Sequence, residues 1–331
     1  VATDPATRGS EAFAAVSRPP VRDDATVSEL ARPGHLAPPP PADAMLLVVA
    51  IVGVSTSAPL IAATAAPALA IAFWRNAMAT GVLLPWSAAS RTSRAELRGL
   101  RGRERRYALA AGVLLAAHFA TWVPSVTYTS VASSTALVAT QPVWAALLVR
   151  ARGGSLPRVA WTGIGLAVLG AAVLTGADVD VSSRHLVGDL LALVGGAFAA
   201  AYVTAGGEAR RSLGTTAYTT VCYGVCAVLL AVVCVVGRQH LASYPAATWV
   251  RLAALTVGAQ LLGHSLINRV LRTTGPLVVS LGILFEVPGA TIIAAIFLHQ
   301  GVRLAQLPGA LLLLAGIAVV IRGGGRAQPV E

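Results

Sequence analysis

The apolar part of this chain repeats itself at an offset of 146 residues, with no gap needed. Gly112, His118, Thr127, Ser134, Pro142, Gly163 and Gly170 recur as Gly258, His264, Thr273, Ser280, Pro288, Gly309 and Gly316. Asp43 and Asp189, each opening an apolar stretch, keep the same offset. Each copy holds five apolar segments, and two odd-numbered membrane units in tandem must cross a bilayer in opposite senses. Inverted repeats of this kind are an architecture of secondary transporters.

Composition sets the environment. Hydrophobic residues make up 56% of the chain and charged residues 12%, against about 25% charged in an ordinary soluble domain. The apolar residues come in runs of the length that crosses a bilayer as a helix, without the period-2 alternation of barrel strands. An all-α integral membrane protein with ten transmembrane helices follows. The expected segments are 45–64, 67–86, 107–128, 131–149, 158–176, 187–206, 216–236, 247–268, 276–297 and 304–321. Residues 43–176 hold the first five-helix repeat and 187–322 the second. Residues 1–42, rich in Pro, Ala and charge, are expected to be a disordered tail, and 323–331 form a second tail. An alternative start near Met45 stays open. A cleavable signal over the first segment is rejected, because that segment has a counterpart in the second repeat.

All 25 basic residues are arginine. The net charge of +11 would point to nucleic acid in a soluble protein; here the arginines mark orientation. One set of loops and the C-terminal tail carry Arg91, Arg94, Arg98, Arg101, Arg103, Arg105, Arg106, Arg150, Arg152, Arg158, Arg210, Arg211, Arg269, Arg272, Arg322 and Arg326. The opposite loops carry only Arg184, Arg238, Arg251 and Arg303. The positive-inside rule then puts both termini in the cytoplasm of a multi-pass plasma (inner) membrane protein. Cys222, Cys226 and Cys234 lie in one apolar segment at no zinc or redox spacing and are read as packing residues.

The stretch Ala66-Pro67-Ala68-Leu69-Ala70-Ile71-Ala72-Phe73-Trp74-Arg75 resembles the start of the second helix of EamA-like permeases of the drug/metabolite transporter superfamily. Tyr128-Thr129 followed by Gln141-Pro142-Val143-Trp144 resembles their fourth helix, and Glu286-Val287-Pro288 the acidic-x-proline of their ninth. The glycine spacings 163–170 and 309–316 match their fifth and tenth. The resemblance covers residues 45–322. It implies a ten-helix inverted repeat around a central cavity, used for export or exchange of small metabolites. The chain departs from the family at Gly154 and Gln300, where glutamates are frequent, so no role is carried over there. Family membership does not fix the substrate.

Several residues carry possible chemistry. Glu286 is the acidic residue deep in a span, about 11 residues from either end at about 1.5 Å each. An ionised side chain there costs at least about 2.5 kcal/mol, so such residues usually face a cavity. It would bind a substrate amine or carry a proton; the plain alternative is a protonated carboxyl bonded to a neighbouring helix. Arg75 is the arginine deep in a span. It reads as an anchor for a carboxylate or phosphate, an internal partner of Glu286, or a structural tie between helices, the last being favoured. Gln260, His264 and Asn268, at i, i+4 and i+8, form one polar stripe, and His118, Trp122 and Ser125 a similar face. The two histidines, related by the offset, suit either a proton relay or the same interhelical bond made twice. Pro142 and Pro288 stand mid-segment at equivalent positions and should interrupt their helices, with Gln141 and Glu286 beside them, as hinges flanking a site. Ordinary proline kinks are the alternative. Trp74, Trp122, Trp144 and Tyr202 are candidate aromatic walls, with Trp144 alternatively facing lipid. Trp86, Trp161 and Trp249 read as interface anchors.

No metal site is implied, no nucleotide-binding or other cofactor motif appears, and neither HExxH nor GxSxG is present, so an enzyme is not expected. The favoured reading is a secondary transporter of a small metabolite, such as an amino acid or amphiphilic compound. A flippase for a lipid or lipid-linked headgroup is the alternative. Proton coupling and plain facilitation both stay open, as do monomer and homodimer.

Overall fold

The computed structural model describes residues 39–176, 182–299, 304 and 307–324. The expected tail over 1–42 lies outside the described residues apart from its last four, that over 323–331 apart from its first two, and Gln300 wholly. The described regular structure is all-helical: α1 (Pro41–Ser55), α2 (Ser57–Ala63), α3 (Ala68–Ala89), α4 (Arg91–Gly99), α5 (Gly102–Tyr128), α6 (Val131–Val138), α7 (Gln141–Ala151), α8 (Arg158–Gly176), α9 (Ser183–Ala209), α10 (Thr215–Val236), α11 (Ala246–Leu255), α12 (Ser265–Val270), α13 (Pro276–Ile283), α14 (Glu286–Phe297) and α15 (Leu307–Gly324). A π-helix, Thr256–His264, joins α11 to α12.

Among the described residues, eight rods are long and apolar enough to cross a membrane. They are Pro41–Ala63, Ala68–Ala89, Gly102–Tyr128, Val131–Ala151, Ser183–Ala209, Thr215–Val236, Ala246–Val270 and Pro276–Phe297. The apolar runs of α8 and α15 are shorter, Arg158–Gly170 and Leu307–Gly316. Polar caps start several helices where the sequence leaves a bilayer segment: Ser130 accepts from the Ser133 N–H at 3.0 Å and Ser182 from the His185 N–H at 3.3 Å, each satisfying one orphan donor of a first turn.

The two repeats are inverted. The fifth helix of one repeat, α8, packs on its counterpart α15. A methyl on Gly170 would lie 2.3 Å from Leu313 N and 2.7 Å from Gly309 O; one on Gly316 would lie 2.4 Å from Ala167 N and 2.6 Å from Gly163 O. Adding 146 to Gly170 gives Gly316, and subtracting 146 from Leu313 and Gly309 gives Ala167 and Gly163, so the contact is two-fold symmetric and the equivalent helices run antiparallel. The second helices of the repeats, α3 and α10, also pair. Ser87 meets Thr220 at 2.7 Å (Oγ to Oγ1) and Thr80 lies near Gly224, again antiparallel. Between these two pairs, α5 packs along α9, and the α1–α2 rod along the π-segment and its flanking helices.

Three rods are broken, each at a proline that cannot donate to the carbonyl four residues back. Pro142 leaves the Val138 carbonyl free between α6 and α7; Gly196 brings α9 against it, a methyl there being 2.8 Å from that oxygen. Pro288 interrupts α13 and α14 at the equivalent place. Pro59 separates α1 from α2 at Thr56, a break the uninterrupted 45–64 segment does not anticipate; its counterpart is Ala205, and α9 runs through. The π-helix is a second asymmetry. The Ser265 N–H donates to Gln260 O, five residues back, whereas the matching stretch before His118 is ordinary α-helix. The repeat is ungapped on both sides of it, so no inserted residue accounts for the wider turn.

Candidate functional site

A narrow cavity of about 30 Å³ lies between the repeats, room for about two water molecules. Its walls come from the first, third and fourth rods of the first repeat (Val54, Ser57, His118, Trp122, Val138, Gln141) and their equivalents in the second (Ala199, Tyr202, Val203, His264, Ile267, Ile283, Glu286). Gln141 and Glu286 are the first residues of α7 and α14. The prolines that break the two rods therefore also fix where these side chains enter the cavity.

The two histidines face each other at pseudo-equivalent places, ring centroids 6.5 Å apart, but they are bonded differently. His118 Nδ1 lies 2.9 Å from the Gly195 carbonyl oxygen. A carbonyl only accepts, so Nδ1 carries the proton and Nε2 of the neutral ring is left as an acceptor. The ring stacks on Trp122, 5.5 Å between centroids and 10° between planes. His264 Nδ1 is buried without a partner, and its ring packs against Phe119 and Tyr202. Replacing His118 by phenylalanine is expected to lower the melting temperature more than the same change at His264, since only the first gives up an interhelical hydrogen bond. The difference is worth about 1 kcal/mol. Thermal unfolding of both variants in one detergent checks it, and equal losses would contradict it.

Trp122 Nε1 and Gln141 Oε1 are likewise buried without partners. Glu286 is 6% exposed and makes no ion pair among the described residues; the pairs found there join Glu208 to Arg103 and Arg211.

Arg75 is fully buried but stands behind the cavity wall. Its Nε donates to Gln260 Oε1 at 2.9 Å, its Nη1 to Ser57 Oγ at 3.0 Å, and its guanidinium carbon lies 4.2 Å from the Phe119 ring centroid. Nη2 is unpartnered. The direct Arg75–Glu286 ion pair is not formed. Gln260 Nε2 donates onward to Asn76 Oδ1 at 3.1 Å. The Tyr223 hydroxyl lies 3.1 Å from Ser265 Oγ and 3.5 Å from Gln260 O. Asn268 Nδ2 donates to the Tyr202 hydroxyl at 2.7 Å, and that hydroxyl to Asn268 Oδ1 at 2.9 Å.

The expected residues thus divide. His118, Trp122, Gln141, His264 and Glu286 line the cavity, while Arg75, Gln260 and Asn268 form a polar layer behind it. The expected stripe of Gln260, His264 and Asn268 is split, because the π-turn carries His264 to the cavity and leaves its neighbours facing α3, α9 and α10. Trp144 is not a wall: it packs half-buried against the cluster around Ala145, Ala160 and Ile164. Trp74 is not one either, for it donates to Leu241 O at 2.8 Å and packs on Trp249. Ser125 is turned to Ser134, 2.6 Å away. Sequence reasoning missed Ser57 and Tyr223, and also Arg210, which is buried and holds Asn268 O at 2.9 Å and Thr215 Oγ1 at 2.8 Å. The duplication alone could have flagged Ser57, whose counterpart Val203 is also a wall residue. No group of His, Cys, Asp and Glu among the described residues could hold a metal.

A solved crystal structure, described only as that of a protein, resembles this one with a TM-score of 0.68 and 17% identity, over 86% of this chain and 99% of that one. That likeness is one of fold. No curated protein matches the chain. The model of the EamA-like transporter family matches twice, over residues 42–176 and 186–322. The duplicated match falls on the two repeats that the symmetric glycine contacts relate, and the chain belongs to the EamA-like transporter family.

Proposed function

We propose that the protein is a secondary transporter that moves a small metabolite, as an exporter or exchanger, by alternating access at the cavity between its repeats. In this reading α8 and α15 also span the membrane, giving ten helices, and both termini face the cytoplasm of the inner membrane. The observation that carries it is the cavity itself. Equivalent rods of two inverted repeats supply both walls, and two of those rods are broken beside it at Pro142 and Pro288, which act as hinges. Interrupted helices at matching places in inverted repeats are where transporters of this kind hold their substrates.

Glu286 is the acidic side chain among those lining that cavity, so substrate contact or coupling falls to it. Glu286→Gln keeps the shape and removes the charge. Losing one charge-assisted hydrogen bond of about 1.5–3 kcal/mol corresponds to roughly a tenfold to hundredfold loss. Comparative metabolite profiling of cells with and without the protein names the solute, and its uptake into proteoliposomes is then compared between wild type and variant. The expected result is at least about tenfold slower movement by protein with an unchanged gel-filtration profile. Equal rates would remove Glu286 from the mechanism.

A further inference from the structure

The unspent hydrogen-bonding groups of the cavity are unequal in kind. The acceptors are the Glu286 carboxylate, Gln141 Oε1, which is buried and unpartnered, and His118 Nε2, left over because Nδ1 is bound to the Gly195 carbonyl. The groups that can only donate are Trp122 Nε1 and the Gln141 amide Nε2, and His264, whose Nδ1 is also unpartnered, offers one donor and one acceptor as a neutral ring. Arg75, the cation that would balance Glu286, is turned away toward Gln260 and Ser57. The Trp122 ring, stacked on His118, adds an aromatic surface of the kind that attracts cations.

We propose, resting on the transporter reading, that this cavity takes the protonated amino end of an amine substrate. Glu286 and Gln141, leading the two broken helices, would accept its N–H groups, and Trp122 and His118 would form the wall beside it. An ammonium offers several donors and one positive charge to a cavity whose acidic side chain has no arginine beside it among the described lining residues. A carboxylate or phosphate would meet the acidic Glu286 with no arginine among those lining residues to offset it. A neutral alcohol would satisfy one acceptor and leave the charge unanswered. The rest of the substrate is small or largely apolar, since Val54, Val138, Val203, Ile267 and Ile283 form much of the remaining wall.

The test uses purified full-length protein in nanodiscs, with tryptophan fluorescence as the binding readout. The probes are 2-phenylethylammonium, 2-phenylethanol and 3-phenylpropionate, which share a ring and differ at the polar end. The ammonium is expected to bind at least about tenfold tighter than either of the others, and that preference is expected to vanish in Glu286→Gln and to shrink in Gln141→Leu. Equal binding of all three, or a preference for the carboxylate, overturns the assignment. A preference that survives Glu286→Gln overturns it as well. Counterflow in proteoliposomes separates the two readings. If the ammonium binds with the expected preference but no solute moves, the transport reading fails and the amine site stands. If a solute moves and the ammonium does not compete with it, transport stands and the amine assignment falls.

Discussion

Replacing Gly170 by valine is expected to abolish recovery of monodisperse protein, and Gly316→Val to do the same. At Gly170 the first added carbon would sit 2.3 Å from a backbone nitrogen of α15, well inside contact distance and against main chain that cannot rotate away. Relief requires α8 and α15 to move apart along their length. Overpacking in a close-packed site ordinarily costs about 1–3 kcal/mol, and a main-chain clash repeated along a helix pair lies at or beyond the top of that range. Within a membrane, association of helices rests on such close approach of small residues rather than on a hydrophobic drive. Gly165→Val is the control, because a methyl there meets nothing within 4 Å. Gel filtration of the three variants in one detergent decides the matter. Normal behaviour of either contact variant would contradict the packing described.

Arg75→Ala is expected to lower the melting temperature by at least about 5 °C. The guanidinium bonds Gln260 of the π-segment and Ser57 of α2, and lies over Phe119 of α5. Two charge-assisted bonds contribute about 1.5–3 kcal/mol each, and the ring contact up to about 2 kcal/mol when desolvated. Against this stands the desolvation of a buried cation, several kcal/mol. The substitution nevertheless destabilises, because it strands two buried polar partners. Arg75→Lys should recover only part, since a point charge cannot fork to both partners while lying flat on the ring. Thermal unfolding of the three proteins measures it. An unchanged melting temperature in Arg75→Ala, with transport lost, would make Arg75 a substrate anchor and not a tie.

Much of the architecture was legible because glycine and proline act locally. Pro142 and Pro288 each fall at a break, so equal spacing in the sequence became equal breaks in the structure, whereas Pro85 and Pro124 lie inside unbroken helices. Gly163, Gly170, Gly309 and Gly316, legible as a repeat, lie where α8 and α15 approach closely. Pro59 carried the same signal and was overlooked because it lacks a counterpart, which shows that a search by repeat discards features unique to one copy. The π-helix was not legible. It depends on how α1 meets it, where a methyl on Gly53 would lie 2.6 Å from Gly258 O, and helical spacing assumes 3.6 residues per turn. That assumption placed Gln260 and His264 on one face. Of the aromatic residues, Trp122 and Tyr202 reached the cavity and Trp74 and Trp144 did not. Each lies in an apolar stretch, and only the packing of neighbouring rods decides which way it turns.

The glycine contact between α8 and α15 has one more property. Each helix presents equivalent glycines to the other, residue i meeting j and j meeting i, which is the geometry of an isologous interface between two identical subunits. One covalent chain has closed on itself across the kind of surface by which two separate copies make a symmetric dimer. Either helix carries both glycines of that patch. The faces differ at Ala167 of α8 and Leu313 of α15, which stand at equivalent places, so the chain has kept the symmetric backbone contact while letting its two sides diverge in side chain.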